Sequence, residues 1–396
     1  MRLSSDDLGM FFEPHHGELA DRLRAASAAL EAVELPDAYD SERARDRAAA
    51  DALGAAGLFE LAVPLGGTAL DSRSLCLTRE MLGYVSPRAD SIFAVQGLGS
   101  HPLALAGTPA QRNELAALAR GAAIAAFAMT EPEAGSDVAA IATRAAPSAE
   151  GWRLDGDKLF ISNLGIADHA TVFATTDPAL GASGLAAFWV PLDAPGITVR
   201  PLTATAPHPI GSLELRGAEV PAAARIGDLG QGMKLAMQTL DAFRVSVGAA
   251  AVGMARRALD EAVGFVSRRI QFGKPLADQP LVQAHLADMV VDLDAARLLV
   301  LRAAHRKDHA GGGRVTTEVS IAKLGATEAA SRVIDRAVQL FGGRGVMAGH
   351  VVEHLYRAIR PLRIYEGTSE IQRTIIGRAL AGGSARGARR DKPSAT

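Results

Sequence analysis

Glu366 is the residue of this sequence whose surroundings point most directly to chemistry. It follows Tyr365 and precedes Gly367 within the segment 363–373, which reads RIYEGTSEIQR and leads into a run with helical spacing. A carboxylate in an apolar pocket has a raised pKa and can act as a general base near neutral pH. A solvated glutamate at a helix start would explain the same pattern.

A loop rich in small polar residues, 127–137, reads FAMTEPEAGSD. Its glycine, serine and threonine residues would expose backbone amides and hydroxyl groups, which suit a planar polar heterocycle or a phosphate. A turn held by capping residues accounts for this segment equally well.

Arginine and aromatic residues stand close together in two further places. Asp241 and Arg244 flank Phe243, and the segment 269–275 reads RIQFGKP. An arginine beside an aromatic ring can grip a phosphate or an adenine through charge and stacking. Basic residues at an ordinary helix C-terminus are the alternative.

Two shorter patterns match known motifs but lack the context that those motifs need. Residues 343–348, GRGVMA, fit the dinucleotide fingerprint, which requires a preceding strand, whereas a helical segment, IDRAVQLF, precedes them. We favour a glycine-rich helix end. Residues 350–354, HVVEH, match an inverted zinc-peptidase pattern, but no third ligand is evident, and we favour a surface helix with two histidines over a metal site.

Composition argues against several classes of protein. Of 396 residues, 48% are apolar and 22% charged, which is typical of a globular enzyme of two or three domains. Lysine and arginine number 42 and aspartate and glutamate 44, so the net charge of −2 argues against binding to nucleic acid or a membrane. The single cysteine, Cys76, excludes an intrachain disulfide, and the first ten residues show no secretory signal pattern. We expect a reduced, cytoplasmic protein.

The spacing of apolar residues changes twice along the chain. Residues 13–120 have helical spacing, and a capping box predicts a helix start at Thr108. Residues 121–230 have strand character, and Asp155-Gly156 predicts a hairpin turn within Trp152–Ser162. Helical spacing then returns. Further strands are predicted at 170–175, 185–191, 197–202 and 212–215, and helices near 233–269, 280–309, 315–341, 349–357 and 368–381.

This order of elements predicts an α+β fold with segregated layers. We expect an N-terminal helical domain at 1–120, a middle β domain at 121–230 and a C-terminal helical bundle at 231–384. The last stretch, 385–396, lacks apolar residues and is predicted to be a disordered tail.

Three of these segments together carry a resemblance to a known family. TEPEAGSD, RRIQFGKP and IYEGTSEIQR occur in the order and at the spacings of the acyl-CoA dehydrogenase family of flavoenzymes, which the chain resembles over 10–380. The resemblance implies an N-terminal helical domain, a middle β-barrel-like domain and a C-terminal four-helix bundle. It also implies FAD as cofactor and, usually, a homotetramer.

The resemblance further implies which residues contact FAD. Ser162 would bond the flavin ring near N5, and Phe160 would replace a usual tryptophan beside it. The residues expected along the flavin side of the β domain are Phe127, Met129, Thr130, Gly135 and Ser136. Arg269 and Phe272 of an adjacent subunit would contact the ADP half of FAD. The pyrophosphate would lie against Gln339, Gly342 and Gly343. The adenosine end would lie near Thr368 and Glu370.

For the reaction, the resemblance implies α,β-dehydrogenation of an acyl thioester to the 2-enoyl thioester. Glu366 would remove the α-proton while a hydride passes from the β-carbon to flavin N5. The Glu366 N–H and a ribityl hydroxyl would polarise the thioester carbonyl. Phe243 stands where some relatives carry their carboxylate, so Glu366 has no evident rival. An electron-transfer flavoprotein would accept the electrons, and the residues expected to bind substrate are Ser136, Asp241, Arg244, Tyr365 and Gly367.

Several positions depart from the family pattern, and four alternative functions stay open. Pro280 replaces a usual glutamine, Ala358 an aspartate and His354 an arginine, in addition to Phe160.

Among the alternative functions, an acyl-CoA oxidase would share every motif. A flavin monooxygenase would be expected to lack Glu366. A DNA-binding flavoprotein would need a strongly basic C-terminal region, whereas here only the short segment 386–392 is basic. A metallopeptidase would be identified by metal analysis of the purified protein.

The acyl group is indicated only weakly. The segment 91–96, SIFAVQ, is small and apolar, and Asp90 stands where relatives acting on dicarboxylic acyl groups would have an arginine. These features favour an uncharged short, branched or cyclic acyl chain, carried either by CoA or by a carrier protein.

Overall fold

The N-terminal part of the molecule is a layer of five helices. The computed structural model describes residues 6–35, 38–206, 208–311 and 313–388. Thr108 Oγ1 accepts a hydrogen bond from Gln111 N, and Gln111 Oε1 accepts one from Thr108 N, so the predicted capping box is confirmed. The helices are α1 (Pro14–Ala32), α2 (Glu42–Ala55), α3 (Ser72–Val85), α4 (Pro87–Ala106) and α5 (Pro109–Ala119).

The middle part is a sheet of eight strands. They are β1 (Ala125–Ala128), β2 (Arg144–Pro147), β3 (Gly151–Ser162), β4 (His169–Thr175), β5 (Leu185–Pro191), β6 (Ile197–Pro201), β7 (Ile210–Pro221) and β8 (Arg225–Ile226). The strand order is β6-β7-β3-β2-β4-β5-β8, and β1 pairs in parallel with β4. Within the described residues this path is open between β6 and β8 and does not close into a barrel.

The predicted hairpin at Asp155-Gly156 is wrong, because β3 runs through both residues as one strand. Neighbours hold this strand on both sides, since Asp155 pairs with β2 and Gly156 with β7. The pairing with β7 slips by one residue between Leu154 and Gly156, which is a β-bulge. A Cβ on Gly156 would lie 2.6 Å from Thr143 Oγ1, so close packing rather than a turn requires this glycine.

The C-terminal part is helical. The predicted helices are confirmed, and their ends agree to within two residues except at the C-terminus of the last helix. α6 (Gly232–Arg268), α7 (Pro280–Asp308) and α8 (Thr316–Phe341) share one apolar core. The last helix reaches Ala388, so the predicted tail overlaps its final residues and otherwise lies outside the described chain. No helix in the described residues has both the length and the apolarity to span a bilayer. The remaining elements are α9 (Val351–Ile359), α10 (Ser369–Ala388), β9 (Ile270–Gln271) and β10 (Lys274–Pro275).

Helices α3 and α6 touch backbone to backbone. A Cβ on Gly83 of α3 would lie 2.3 Å from Ala250 O, and a Cβ on Gly253 of α6 would lie 2.0 Å from Glu80 O. Only glycine permits this approach, because any Cβ would overlap the facing carbonyl oxygen. The contact joins the N-terminal helices to the C-terminal bundle.

The sequence 343–348 is a helix end, as the sequence analysis favoured. Residues Gly342–Val346 form a short 3-10 helix directly after α8, and Gly342 has a φ of +60°. A helix therefore precedes the fingerprint, where a dinucleotide-binding fold needs a strand.

Candidate active site

Glu366 lies in a strained turn just before α10, with a φ of +52°. Residues other than glycine rarely adopt positive φ, and they keep it only where surrounding contacts enforce it. Four such residues occur in the described chain: Phe160, Asn163, Phe272 and Glu366. Phe160, Phe272 and Glu366 were predicted from the sequence to be site residues. Backbone strain thus coincides with three of the predicted contacts to cofactor or substrate.

Three side chains from three helices hold this turn. Arg244 Nε of α6 donates to Glu366 O at 3.1 Å, and Lys323 Nζ of α8 donates to Gly367 O at 2.7 Å. Gln372 Nε2 of α10 donates to Gly367 O at 3.0 Å. These bonds fix both carbonyl groups of the turn and so fix the direction of the Glu366 side chain.

The structure gathers most of the predicted substrate residues around Glu366. Arg244, which contacts the Glu366 carbonyl, also donates from Nη1 to Asp241 Oδ1 at 2.7 Å. Tyr365 and Gly367 flank Glu366 in the turn. Ser136 lies apart from these contacts in the exposed loop that follows β1. Two of the donor groups of Arg244 are thus used within the protein, so binding of substrate by this residue stays a prediction.

The carboxyl group of Glu366 is buried and has a raised pKa. Burial raises this pKa, the positive charges of Arg79, Arg244 and Lys323 oppose the shift, and the negative charge of Asp90 adds to it. Glu366 Oε2 is buried and has no hydrogen-bond partner in the described structure. A carboxylate oxygen without a partner is available to accept a proton from a bound molecule.

A buried ion pair beside Glu366 was missed by the sequence analysis. Arg79 of α3 donates to Asp90 of α4 through Nε at 2.8 Å and Nη2 at 2.9 Å. Its Nη1 donates to Ser246 Oγ of α6 at 3.1 Å, and both charged residues are almost inaccessible to solvent. No distinct signal for this pair was present in the sequence, because α3 and α4 each carry further charged residues, such as Arg73 and Arg88.

Substitution of Asp90 by alanine is expected to destabilise the protein by about 3–5 kcal/mol, because it leaves the Arg79 charge buried and unpaired. Chemical denaturation of the two proteins measures this difference. Glu214→Ala is the control, since it removes an ion pair with Arg200 that is exposed on the sheet, and it should change stability little. Equal stability of Asp90→Ala and the wild type would contradict the assignment of a buried pair.

A second β-bulge turns Phe160 out of the sheet. The pairing of β3 with β7 slips between Lys158 and Ile161, Phe160 has a φ of +57°, and its side chain is 63% exposed. Bulges near functional sites re-aim individual side chains in this way. Leu159 N donates to Thr130 O at 2.9 Å, which joins this bulge to the loop 130–137.

The loop 130–137 is anchored by a buried pair, Glu131 and Lys158. Lys158 Nζ donates to Glu131 Oε1 at 2.7 Å and to Met129 O at 3.2 Å. Burial opposes ionisation of Glu131, but Lys158 and the hydrogen bond from Thr143 outweigh it, so the pKa of this carboxyl is lowered. The anchored loop presents Gly135 and Ser136 at the surface, with no atom within 4 Å of a Cβ placed on Gly135.

Asn163 supports the end of β3 and was not among the predicted site residues. It is buried with a φ of +68°, and its Nδ2 donates to Ile92 O at 3.3 Å and Ala125 O at 3.1 Å. These bonds fix Ser162, the last residue of β3, relative to α4 and β1. Tolerance of left-handed backbone by asparagine was the available signal.

A separate surface groove holds part of the predicted ADP-binding set. A cavity of about 530 Å³ is lined by Arg269, Gly342 and Gly343, among others. Next to it, Phe272 and Gly273 form the two-residue turn between β9 and β10, both with positive φ, and Phe272 is 94% exposed. Gln339 is exposed on α8.

Two predicted FAD contacts, Thr368 and Glu370, lie at the start of α10. Thr368 Oγ1 accepts a hydrogen bond from Ile371 N at 3.3 Å and so caps the helix, while Glu370 is exposed. Pro280, one of the departures from the family pattern, occupies the first position of α7, where its missing N–H costs no hydrogen bond.

The surfaces described above fit FAD. A large aromatic ring exposed on a strained bulge, as at Phe160, offers a flat apolar face for a flavin ring. Nothing lies within 4 Å of a Cβ placed on Gly342 or Gly343, so their backbone groups are open to a phosphate. Arg269 lines the same cavity and supplies positive charge. The fully exposed ring of Phe272 is suited to stack on an adenine or to enter a second subunit.

The histidine pattern at 350–354 has structural partners. His354 Nε2 lies 3.7 Å from Glu34 Oε2, and Arg357 is paired with Glu353. Elsewhere, His15, His16 and Asp71 place ligand atoms within 4.8 Å of one another. His16 Nδ1 accepts a hydrogen bond from the backbone N–H of Glu13, so its proton lies on Nε2, which faces Asp71 and cannot bind a metal in that form.

Comparison with known protein families covers nearly the whole chain. Residues 14–122 match the acyl-CoA dehydrogenase N-terminal domain, 126–218 the middle domain and 230–381 the C-terminal domain. These three matches follow the change from helices to sheet to helices in the structure.

Individual relatives agree with the family match. A probable acyl-CoA dehydrogenase of Mycobacterium tuberculosis, FadE25, is 38% identical over 369 residues, covering 91% of this chain and 95% of the relative. Butyryl-CoA dehydrogenase from Megasphaera elsdenii has a TM-score of 0.83 at 34% identity, over 92% of this chain and 98% of that chain. A chain solved in work on an electron transferring flavoprotein of Acidaminococcus fermentans has a TM-score of 0.82 at 32% identity, over 91% and 98%. This chain therefore belongs to the FAD-dependent acyl-CoA dehydrogenase family.

Proposed function

We propose that Glu366 is the general base of this acyl-CoA dehydrogenase. The observation that carries the proposal is a buried carboxylate oxygen without a partner, on a turn held by three side chains, in a group whose pKa is raised. A raised pKa makes the ionised carboxylate a stronger base toward a weakly acidic proton.

The proposed step removes two hydrogens from neighbouring carbons of the acyl chain. Glu366 takes the proton from the carbon next to the thioester carbonyl, and its own backbone N–H is the proposed donor to that carbonyl. Bound FAD supplies the acceptor for the β-hydrogen and its two electrons, which leaves the 2-enoyl thioester as product. The turn fixes Glu366 through hydrogen bonds to carbonyl groups, and the N–H of Glu366 is left out of those bonds.

We propose an uncharged acyl group for the substrate. Arg79 is the cation next to Asp90, but its donors already bind Asp90 and Ser246. A carboxylate on the acyl chain would have to compete with Asp90 for this cation and would lie close to a buried negative charge. A short, branched or cyclic acyl chain carries no such cost. The carrier is CoA or a carrier protein, as the sequence analysis left open.

We further propose that the protein is a homotetramer that passes its electrons to an electron-transfer flavoprotein. Exposed apolar side chains on α7 support self-association, since Leu281 is 79% and Val291 68% exposed. The exposed groove at Gly342–Gly343 is consistent with contact between subunits through FAD. The expected cytoplasmic location stays a prediction.

The visible spectrum of the purified protein tests this function directly. We expect a flavin spectrum that bleaches on anaerobic addition of one member of a panel of short, branched and cyclic acyl-CoAs. Rapid reoxidation by air during turnover would instead identify an oxidase. A flavin that stays oxidised with every acyl-CoA would contradict the proposed substrate class, and protein without flavin would contradict the proposed mode of FAD binding.

A further inference from the structure

A buried lysine, Lys323, stands beside Glu366 without an acid partner of its own. Its side chain is completely inaccessible, and within the described residues its hydrogen bond is the one from Nζ to Gly367 O at 2.7 Å. A buried charge without an ion pair costs free energy, because the protein interior solvates it less well than water does. The packing of α8 alone would be served better by an apolar side chain of similar size.

Among the cations that act on Glu366, Lys323 is the one that forms no ion pair within the described residues. From α3 and α4 the pair of Arg79 and Asp90 faces the base, and from α6 Arg244 faces it while bonded to Asp241. From α8 Lys323 faces it, and the negative charges of Glu328 on α8 and Glu370 on α10 act on Lys323 in turn. The positive charge of Lys323 is therefore offset less by a paired carboxylate than the charges of Arg79 and Arg244 are.

The coupling between the two groups is mutual. Burial lowers the pKa of Lys323 to about 8, and the negative charge of Glu366 is the strongest influence in the opposite direction. Near neutral pH the lysine is thus mostly protonated, and it bonds the carbonyl of the residue that follows the base. Charge and hydrogen bond come from one atom, Nζ.

We infer that Lys323 is a positioning residue for Glu366: it holds the Gly367 carbonyl so that the base keeps its strained conformation, and its positive charge favours the ionised carboxylate. This inference rests on the proposed role of Glu366. It adds a second buried group, far away in sequence, on which the proton transfer depends.

Three substitutions separate the charge from the hydrogen bond. Lys323→Met removes both, Lys323→Gln keeps a donor without charge, and Lys323→Arg keeps both. Lys234→Met is the matched control, since it removes an exposed lysine from α6. Flavin absorbance of each purified holoenzyme shows whether the variant folds and binds FAD, and if Lys323→Met does not, the glutamine and arginine variants carry the test.

Two readouts follow on the FAD-loaded proteins, with an acyl-CoA that bleaches the wild-type flavin. We expect the acid limb of the kcat/KM pH profile to move up by roughly one pH unit in the methionine and glutamine variants, because a nearby cation no longer favours the carboxylate. In Lys323→Met, kcat should fall by about 10- to 100-fold. Hydrogen–deuterium exchange of the segment 364–372 should speed up in that variant and stay slow in Lys323→Gln. Lys323→Arg should restore the wild-type profile.

The outcomes distinguish this inference from the function on which it rests. If Glu366→Gln is inactive while Lys323→Met keeps the wild-type pH profile and exchange rates, the role of Lys323 is wrong and the base assignment stands. If the wild type does not react with any acyl-CoA, or Glu366→Gln stays fully active, the proposed function fails first. A shift shared by Lys234→Met would also overturn the inference, since distance from Glu366 would then not matter.

Discussion

Glu366→Gln is expected to keep bound FAD and to lose about 10²- to 10⁴-fold in turnover, the usual contribution of a general base. The amide has nearly the same shape as the carboxyl group, so the turn and its hydrogen bonds from Arg244 and Lys323 should persist. Only the ability to accept the proton is lost. Steady-state kinetics and the flavin spectrum measure both parts of this expectation, and a fully active variant would show that another group is the base.

The pH dependence gives a check on the same assignment that does not require a variant. Because the pKa of Glu366 is raised, wild-type activity should increase with pH over a range that lies above the ordinary glutamate pKa, as the carboxyl group loses its proton. The free energy of unfolding should change with pH in the opposite direction to the activity. The folded protein binds more protons than the unfolded chain between the ordinary and the raised pKa, so the free energy of unfolding falls as pH rises through that window.

Glu366→Gln should therefore unfold at a higher temperature than the wild type above that window, where the wild type bears the cost of a buried negative charge. Thermal melts of both holoenzymes below and above the window measure this, with the difference shrinking below it. A variant that is both inactive and less stable above the window would indicate damage to the fold rather than loss of the base.

Gly253→Ala is expected to destabilise the protein by about 3 kcal/mol or more, which is large for one added methyl group. The new Cβ would lie 2.0 Å from Glu80 O, a backbone atom, so α3 and α6 would have to separate. Their separation would also disturb the bond between Arg79 and Ser246 beside the base. Activity should fall together with stability, as measured by chemical denaturation and steady-state kinetics.

Gly264→Ala on the same helix is the matched control. Its Cβ would meet only the tip of the flexible Arg268 side chain at 3.5 Å. Replacing glycine by alanine inside a helix normally stabilises it by roughly 0.5–1 kcal/mol, so this variant should be as stable as the wild type or slightly more so. Similar effects of the two substitutions would contradict the close contact between α3 and α6.

The order and type of the elements could be read from the sequence because they depend on local physics. Helical spacing and the capping box at Thr108 act within one turn of chain, and the structure confirms them. The error at Asp155-Gly156 shows where local signals end. That dipeptide favours a tight turn in isolation, but strands on both sides of β3 supply hydrogen bonds that outweigh the preference.

The sequence by itself determined the family, the candidate base and most residues of its turn, because those motifs are contiguous and each carries its own chemistry. Only the tertiary structure decided what surrounds Glu366. Arg79, Asp90 and Lys323 come from three helices, and nothing in their local sequence distinguishes them from ordinary helix residues. Whether a charge is buried, and which carbonyl it meets, depends on how helices pack, and here that packing is set by contacts between residues far apart in the chain, such as Gly253 against Glu80.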